Sequence, residues 1–414
     1  MLRVATLWIS IWQTLAWGAI QAGVGKADLA PPLGTPLAGY GARLGGPSTG
    51  IHDPVEARAL VLAVGTEKIA LVAVDHLGFD HAMVARVRSL ASVESKIPEE
   101  RVFVISSHTN AGGGAYLEIF PELAGKYDPG VRSFYEQRAA AAVVAAAAKV
   151  RPARVGFGSG ALPGLSRYRS KWPPDTMPDA RPVDPELGVL RVDDAATGHP
   201  MAVLMNFAAH PTVLGADNFQ FSSDFVGYAR TTVERLLGGG AMALFANGAE
   251  GTISPRPFLG KTGWERAENM GAILGAETFK VVHMIETRDD AQVKFARAPL
   301  QLKPQMPPLI PPGRTLGETY SSEMAALSFD GRVALVTIPG ELSSILNRQV
   351  KERGRQFGFE KTWLLGITND AVGYIVTEDE YRHQTYEASV SFFGPHFGSV
   401  VVNEAFQLLE KLRK

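Results

Sequence analysis

The chain has 414 residues, of which 46% are hydrophobic and 20% are charged, so it can build a large core and is not globally disordered. Lys and Arg total 41 while Asp and Glu total 42, and this balance argues against a nucleic-acid partner, which usually requires a basic surface. The absence of cysteine excludes disulfide bonds, thiolate metal ligands and cysteine nucleophiles.

The N-terminal segment resembles a signal peptide. Arg3 precedes a mainly apolar run from Val4 to about Ile20, and the small residue Ala22 suits a cleavage site. We therefore expect residues 1–22 to be removed on export to the periplasm or the medium, and residues 23–414 to form a single domain. The alternative is an amphipathic or buried N-terminal segment.

Along the rest of the chain, β-branched apolar runs alternate with helical patterns, which predicts an α/β fold with mixed sheets flanked by helices. The predicted elements are, in chain order, strands at Ala57–Val64 and Ile69–Val74, a helix at Met83–Val93, a strand at Val102–Ser106, an Ala-rich helix at Phe134–Lys149, a strand at Val203–Phe207, a helix at Phe225–Leu237, a strand at Ala241–Phe245, a helix at Trp264–Ile285, strands at Val333–Ile338 and Trp363–Ile367, and a helix at Val400–Leu412. Two proline-rich stretches, Pro163–Pro185 and Pro304–Pro312, are predicted to be surface connections.

Six of the predicted strands end in polar residues of types that commonly bind ligands. These endings are Asp75-His76, His108-Thr109-Asn110, His210-Pro211-Thr212, Asn247-Gly248, Glu341 and Asn369-Asp370. Because ligands of open α/β sheets bind beyond the carboxyl ends of the strands, we expect the endings to form a shared site. A helix N-cap or a turn is the alternative explanation for each ending taken alone.

Three of these strand-end residues are suitable metal ligands. His108 and His210 follow different strands, and Glu341 follows Pro339-Gly340 at a sharp strand end. Two imidazoles and one carboxylate form a common catalytic zinc shell, which leaves a coordination position open for water. The alternative for either histidine is a hydrogen-bonded residue of the core.

Several segments, in the same order, resemble the catalytic domain of the neutral/alkaline non-lysosomal ceramidases. GVGKADLAPPLGTPLAGYGAR and the Gly50–Pro54 segment are similar to the start of that domain. VFVISSHTNAG resembles its T-H-T-H-S-G strand ending, and NFAAHPTVLG, FANGAEGTISPRP, IPGELSS and GYIVTEDEYRHQTYEAS resemble its second-histidine, G-D-V-S-P, P-G-E and Y-V-T-x-x-E-Y…Y-E segments. The similarity extends over nearly all of the expected mature chain, and we expect the C-terminal β-sandwich of that family to be missing.

The resemblance implies a zinc ion with four protein ligands, His108, His210, Glu341 and Tyr374. It also implies that Tyr386 is a second tyrosine of the pocket, that Ser254 is a serine needed for activity, and that Arg167 is a candidate pocket arginine. The implied reaction is hydrolysis of the N-acyl amide of a ceramide-like lipid by zinc-bound water. A lipid substrate leaves open a peripheral contact with membranes, and the oligomeric state is not predicted.

Two positions depart from the pattern of the family. Asn110 stands in place of the second histidine of T-H-T-H-S-G, and Thr252 stands in place of the aspartate of G-D-V-S-P. Asn110 remains a candidate catalytic residue that can form hydrogen bonds, but an amide cannot act as an acid or a base near neutral pH. The alternatives are therefore a zinc amidase, esterase or lactonase acting on another acyl substrate, or a catalytically weak binding homologue.

Overall fold

The structure of the protein is a computed structural model that describes residues 12–14, 18–65, 67–256, 260–307, 310–311 and 313–414. In chain order, the strands in this part of the chain are β1 (Trp12–Thr14), β2 (Gly18–Asp28), β3 (Gly50–Ile51), β4 (Glu56–Val64), β5 (Glu67–Val74), β6 (Val102–Ser106), β7 (Arg151–Ala161), β8 (Ser166–Tyr168), β9 (Glu186–Asp194), β10 (Pro200–Phe207), β11 (Gln220–Phe221), β12 (Met242–Asn247), β13 (Ile253–Pro255), β14 (Asp290–Ala291), β15 (Val293–Leu302), β16 (Tyr320–Phe329), β17 (Val333–Thr337), β18 (Glu341–Leu342), β19 (Lys361–Leu365) and β20 (Tyr374–Ile375). The helices in the same part are α1 (His81–Ser95), α2 (Pro121–Ala124), α3 (Pro129–Ala147), α4 (Phe225–Leu237), α5 (Gly263–Val282), α6 (Ser344–Gln356), α7 (Glu378–Arg382) and α8 (Phe397–Arg413).

Two large sheets form the centre of the fold. The larger has the order β12-β10-β9-β7-β2-β4-β5-β6, with β14 also paired to β2, and the smaller has the order β1-β15-β16-β17-β19. Most neighbouring strands are antiparallel, but β5 and β6, β10 and β12, and β17 and β19 run parallel. The predicted α/β fold with mixed sheets is therefore confirmed.

The two sheets pack face to face around a shared apolar core. Phe103 and Leu204 of the larger sheet contribute to the same cluster as Phe295, Leu335 and Trp363 of the smaller sheet. Both faces of the larger sheet are covered, and its strands therefore read as continuous apolar runs rather than as alternating ones.

Helices cover the outer faces of both sheets. Helices α1, α3, α4 and α5 pack on the larger sheet, and α6 and α8 pack on the smaller one, which gives a four-layer arrangement. Helix α3 lies unusually close to β2, since a Cβ atom at Gly25 would lie 2.6 Å from the carbonyl oxygen of Ala142. Glycine in the strand and alanine in the helix are the small residues that this close approach requires.

All twelve predicted elements correspond to observed ones. Val102–Ser106 and Phe225–Leu237 have the predicted ends, and the other ten have shifted ends. The predicted strand Ala241–Phe245, for example, is observed as β12, which extends to Asn247. Strands β7, β9, β15 and β16 and helix α6 were not predicted. The run of β-branched apolar residues that predicts a strand is interrupted by Gly and Ser in β7 and by charged residues in β9. Helix α6 has a mostly polar sequence. Short strand β8 lies within the predicted loop Pro163–Pro185.

The start of the described chain is part of the sheets. Residues 1–11 and 15–17 of the predicted signal peptide lie outside the described residues, whereas β1 pairs with β15 and β2 begins at Gly18. Ala22 is buried and pairs with Leu62, so cleavage near Ala22 would remove the first part of β2. The signal peptide and export remain predictions. None of the described helices combines the length and the apolar content needed to cross a bilayer.

Candidate metal centre

The carboxyl ends of strands from both sheets meet at one place. The Asn247 side chain at the end of β12 donates from Nδ2 to the carbonyl oxygens of Ser107 (3.0 Å) and Ala209 (3.1 Å), which follow β6 and β10. The backbone N–H of Gly366, which follows β19, donates to the carbonyl of Asn247 at 2.9 Å. Asn247 thus joins the strand ends that carry His108 and His210.

Three buried side chains converge at this junction. Oε2 of Glu341 lies 3.3 Å from Nε2 of His108 and 2.9 Å from Nε2 of His210. The potential ligand atoms of the three residues all lie within 4.8 Å of one another, and this is the group of metal-binding type found among the described residues. The arrangement brings together the residues that sequence analysis predicted as metal ligands.

Each histidine is oriented through its second ring nitrogen. Nδ1 of His108 lies 2.6 Å from the carbonyl oxygen of Leu77, and Nδ1 of His210 lies 2.9 Å from that of Ile253. A carbonyl can only accept, so Nδ1 carries the donated hydrogen and the Nε2 lone pair of the neutral ring faces the junction. Metal-ligating histidines are commonly held in this way.

The backbone of His108 is strained. Its φ of 69° lies in the left-handed region, which costs a non-glycine residue about 1–3 kcal/mol. The turn directly after β6 directs the imidazole toward Glu341, which lies on the strand β18 next to β20. Strain of this kind is concentrated at functional sites, where the surrounding structure compensates for it.

The charges of the three residues are strongly coupled. Burial would raise the pKa of Glu341, but the two histidines hold it well below its usual value. Burial and the positive charge of Arg169 lower the pKa of His210 to about 4. Burial also opposes a charge on His108, yet the Glu341 carboxylate raises the pKa of that histidine. An ionised carboxylate and a neutral His210 are the forms that bind a cation, which would compete with the proton of His108.

A tyrosine and an arginine complete the polar side of the site. Tyr374 in β20 is the cross-strand partner of Glu341, and its Oη lies 3.4 Å from Nε2 of His210. Burial and the Glu341 charge raise the pKa of Tyr374 well above its usual value, so its hydroxyl keeps its proton. Nη2 of Arg169 donates to Tyr374 Oη at 2.8 Å, and Nε of Arg169 donates to Oε1 of Glu387 at 3.2 Å.

Arg169 and Glu387 are not among the site residues predicted from the sequence, although Glu387 lies in the segment GYIVTEDEYRHQTYEAS. The predicted arginine, Arg167, is exposed and is the cross-strand partner of Ser254 between β8 and β13. Arg169 lies just beyond β8, where the chain turns its guanidinium toward Tyr374. The segment R-Y-R-S carries both arginines, and nothing in its local pattern indicates which one faces the site.

The two hydroxyl-bearing residues expected in the pocket lie next to residues of the junction. Ser254 is half-buried and follows Ile253, whose carbonyl oxygen contacts His210. Tyr386 is 65% exposed, and its ring centroid lies 5.9 Å from that of Tyr374. Tyr386 therefore lies on the solvent side of Tyr374.

The two positions that depart from the family pattern have different surroundings. Asn110 is buried and donates from Nδ2 to the carbonyl of Gly39 at 3.2 Å, and no described residue donates to its Oδ1. Oγ1 of Thr252 contacts the Ser344 hydroxyl at 3.0 Å and accepts from the Ser344 backbone N–H at 3.1 Å, at the start of α6. Thr252 thus has a structural role, whereas Asn110 retains an unpaired acceptor.

The remaining strand endings have structural roles. His76 packs among Phe79 and two tyrosines, and burial lowers its pKa to about 3. Asn369 accepts from the backbone N–H of Val104 at 3.0 Å, and Asp370 accepts from the hydroxyl of Ser322 at 2.6 Å. These contacts stabilise the strand ends, and none of them includes Glu341.

The chain is similar in sequence to known neutral ceramidases. Residues 20–263 match the family model described as "Neutral/alkaline non-lysosomal ceramidase, N-terminal". Neutral ceramidase of Pseudomonas aeruginosa is 30% identical over 254 residues, which are 56% of this chain and 36% of that protein. Neutral ceramidase of Mycobacterium tuberculosis is 27% identical over 232 residues, which are 50% of this chain and 36% of that protein. The aligned region thus spans 36% of the length of both relatives.

Solved structures share the fold over a greater length. A crystal structure of neutral ceramidase from Pseudomonas aeruginosa aligns with a TM-score of 0.81 and 19% identity, covering 95% of this chain and 74% of that one. A ceramidase complexed with C2 aligns with a TM-score of 0.79 and 19% identity, covering 95% of this chain and 75% of that one. With the family model matched over residues 20–263, the chain belongs to the neutral/alkaline non-lysosomal ceramidase family.

Proposed function

We propose that the protein is a zinc-dependent hydrolase of N-acyl amides, with ceramide-like lipids as its substrate class. The observation that carries this proposal is the convergence of His108 and His210 on the Glu341 carboxylate, in a chain of the ceramidase family. Two neutral imidazoles and one carboxylate are a donor set that suits Zn²⁺.

The three residues and the Tyr374 hydroxyl would hold the ion. Support for Tyr374 as the fourth ligand comes from its Oη, 3.4 Å from Nε2 of His210. A bound Zn²⁺ supplies a Lewis acid and lowers the pKa of a bound water to about 7. The carbonyl groups of Leu77 and Ile253 keep both imidazoles oriented for this role.

The other polar residues of the site would act on the substrate carbonyl. Arg169 fixes the orientation of the Tyr374 hydroxyl, and the hydroxyls of Ser254 and Tyr386 can donate to an oxygen on which negative charge develops. Loss of one such donor typically lowers the rate by about 10²–10³-fold. We assign the part of the pocket arginine to Arg169 rather than to Arg167, because Arg169 donates to Tyr374 whereas Arg167 is exposed.

Asn110 favours a second candidate function, the hydrolysis of esters or lactones with the same zinc. An amide leaving group requires a proton, which the histidine usual in the family at this position could deliver and an asparagine cannot. An ester leaving group needs less help from an acid. A Cβ at Gly39 would lie 2.6 Å from Cγ of Asn110, so the glycine at position 39 provides the space that the Asn110 side chain occupies.

A substrate panel distinguishes these functions. Purified protein is incubated with ceramides, short N-acyl amino compounds and esters, and the products are identified by mass spectrometry, with Glu341→Gln as the inactive control. Cleavage of ceramides supports the proposal, and cleavage of esters alone supports the second candidate. A protein that binds zinc but cleaves none of these compounds would be a binding homologue, and both proposals would be wrong.

A further inference from the structure

Glu250 is a buried acid without a visible partner. Its side chain is 0% exposed, and no other described residue makes a hydrogen bond to either carboxylate oxygen. An isolated ionised carboxylate in a protein interior costs several kcal/mol unless a positive charge or hydrogen-bond donors compensate it. A group of this kind either keeps its proton or is compensated by a cation, and no described residue supplies that compensation.

Other buried acids in the described part of the chain are paired. Glu323 accepts from Arg88 at 2.6 Å, and Asp75 forms two hydrogen bonds with Arg230 at 2.8 and 2.7 Å. Asp370 is paired without arginine, since it accepts from the hydroxyls of Tyr320 and Ser322. Each of these acids therefore has a hydrogen-bond donor that the chain supplies. Glu250 lacks such a partner, which separates it from this structural group.

Glu250 lies just before two residues whose backbone contacts the metal centre, Gly251 and Ile253. One residue further on, the Gly251 N–H donates to the carbonyl of Leu342, the neighbour of Glu341, at 3.0 Å. The carbonyl of Ile253 in the same segment contacts Nδ1 of His210. The backbone that follows Glu250 thus contacts both His210 and the neighbour of Glu341.

The carboxylate itself points toward the strand ends. A Cβ at Gly366 would lie 2.7 Å from Oε2 of Glu250, which places the carboxylate against the end of β19. Burial raises the pKa of Glu250 to about 8, and the charges of His108 and Glu341 also act on it, so without a nearby cation the carboxyl is largely protonated near pH 7. Glu250 is not one of the three residues whose ligand atoms lie within 4.8 Å of one another, so it lies outside the direct ligand set.

We propose, on the basis of the metal site proposed above, that Glu250 is a second carboxylate of the metal centre that strengthens cation binding from outside the set of direct ligands. Two neutral imidazoles and the Glu341 carboxylate leave a divalent cation with uncompensated positive charge. An ionised Glu250 balances that charge, and the cation in turn supplies the compensation that the buried carboxylate lacks. Outer carboxylates of this kind commonly change metal affinity by about 10–100-fold.

The test compares two properties of Glu250→Gln with those of the natural sequence. Metal-free protein is titrated with Zn²⁺ in competition with a chromophoric chelator, and the variant is expected to bind at least about tenfold more weakly. Urea unfolding of the metal-free variant is expected to show equal or greater stability, because glutamine has the same shape and no charge to bury. This pairing of weaker metal binding with undiminished stability is not expected of a residue with a merely structural role.

Glu404→Gln is the matched control. Glu404 is a buried acid on α8, and burial raises its pKa as it does for Glu250. It lies on α8 beside Val401 and Ala405 of the core cluster on the smaller sheet, so its replacement is expected to leave the affinity for Zn²⁺ unchanged. If Glu250→Gln does not fold, Glu250→Met, which also lacks the charge, is used for the same two measurements.

Each outcome separates this proposal from the one on which it depends. A natural protein that binds no Zn²⁺ overturns the metal site itself. A natural protein that binds Zn²⁺ with the same affinity as a folded Glu250→Gln overturns only the role of Glu250. A metal-free Glu250→Gln that is clearly less stable than the natural protein shows that the carboxylate has a partner within the fold, and this also overturns the inference.

Discussion

Replacing Glu387 by glutamine tests how the polar side of the metal centre is held in place. The Glu387 side chain is 2% exposed and accepts two hydrogen bonds, from Nε of Arg169 at 3.2 Å and from Oγ of Ser170 at 2.9 Å. Glutamine retains the shape but removes the negative charge, and its NH₂ group would face one of these two donors. Arg169 would keep its bonds to the Gly251 carbonyl and the Tyr374 hydroxyl, both made through Nη2.

The size of the effect follows from the lost bond. A hydrogen bond between charged groups contributes about 1.5–3 kcal/mol, and a value near the middle of this range corresponds to about a 30-fold change in rate. We therefore expect Glu387→Gln to lower kcat on an amide substrate by about 10- to 100-fold. KM should change much less, because Tyr374 is assigned to the metal, whose Lewis acidity acts on the charge that develops during the reaction, rather than to substrate binding.

Steady-state kinetics and urea unfolding measure the two consequences separately. Ser170→Ala is the matched control, since it removes only a neutral donor to the same carboxylate, which contributes about 1 kcal/mol of stability. We expect this control to retain nearly all of its kcat. A folded Glu387→Gln protein with unchanged kcat would refute the role assigned to Arg169 and Glu387.

Three further predictions concern the metal, the packing and the pH dependence. His108→Ala and His210→Ala should each lose bound zinc in metal analysis while circular dichroism shows a retained fold, and full zinc in both would show that the site is misassigned. Gly25→Ala should lower the free energy of unfolding in urea by about 1–3 kcal/mol, because its Cβ would lie 2.6 Å from the carbonyl oxygen of Ala142, and an unchanged midpoint would contradict this packing. Burial raises the pKa of Asp370 to about 7, above the value of about 3.9 in unfolded chains, so this group makes the protein less stable as pH rises from about 4 to 7. Urea unfolding of Asp370→Asn should show a free energy of unfolding that changes less with pH in that range. An unaltered pH dependence would count against the raised pKa of Asp370.

The convergence of His108, His210 and Glu341 could be predicted because it depends on a local pattern. His108, His210 and Glu341 each lie a few residues beyond an apolar strand, where ligands of α/β sheets commonly bind, and β6, β10 and β17 each belong to a parallel pair. The histidines could therefore be selected without knowledge of the sheet order.

The supporting residues could not be predicted in the same way. Glu387 contacts Arg169 across more than two hundred residues of sequence. Glu250 is distinguished by having no hydrogen-bond partner among the described residues, which only the packed interior reveals. Arg167 and Arg169 differ by two positions in one short segment, and only the folded chain shows which of them faces Tyr374.

The N-terminal segment shows a different limit. An apolar run followed by a small residue is typical of a signal peptide, and the same residues suit a buried strand. Ala22 is buried in β2 beside β4, where it pairs with Leu62. Composition alone does not distinguish the two, because both environments favour apolar side chains.

The most direct test of zinc-dependent amide hydrolysis is the release of fatty acid and amine from ceramide by the purified protein before chelation, after chelation and after Zn²⁺ is added back. The proposed function predicts equimolar products from the untreated protein, their loss after chelation and their return with Zn²⁺. Cleavage that is insensitive to chelation, or that persists undiminished in His210→Ala, would contradict it.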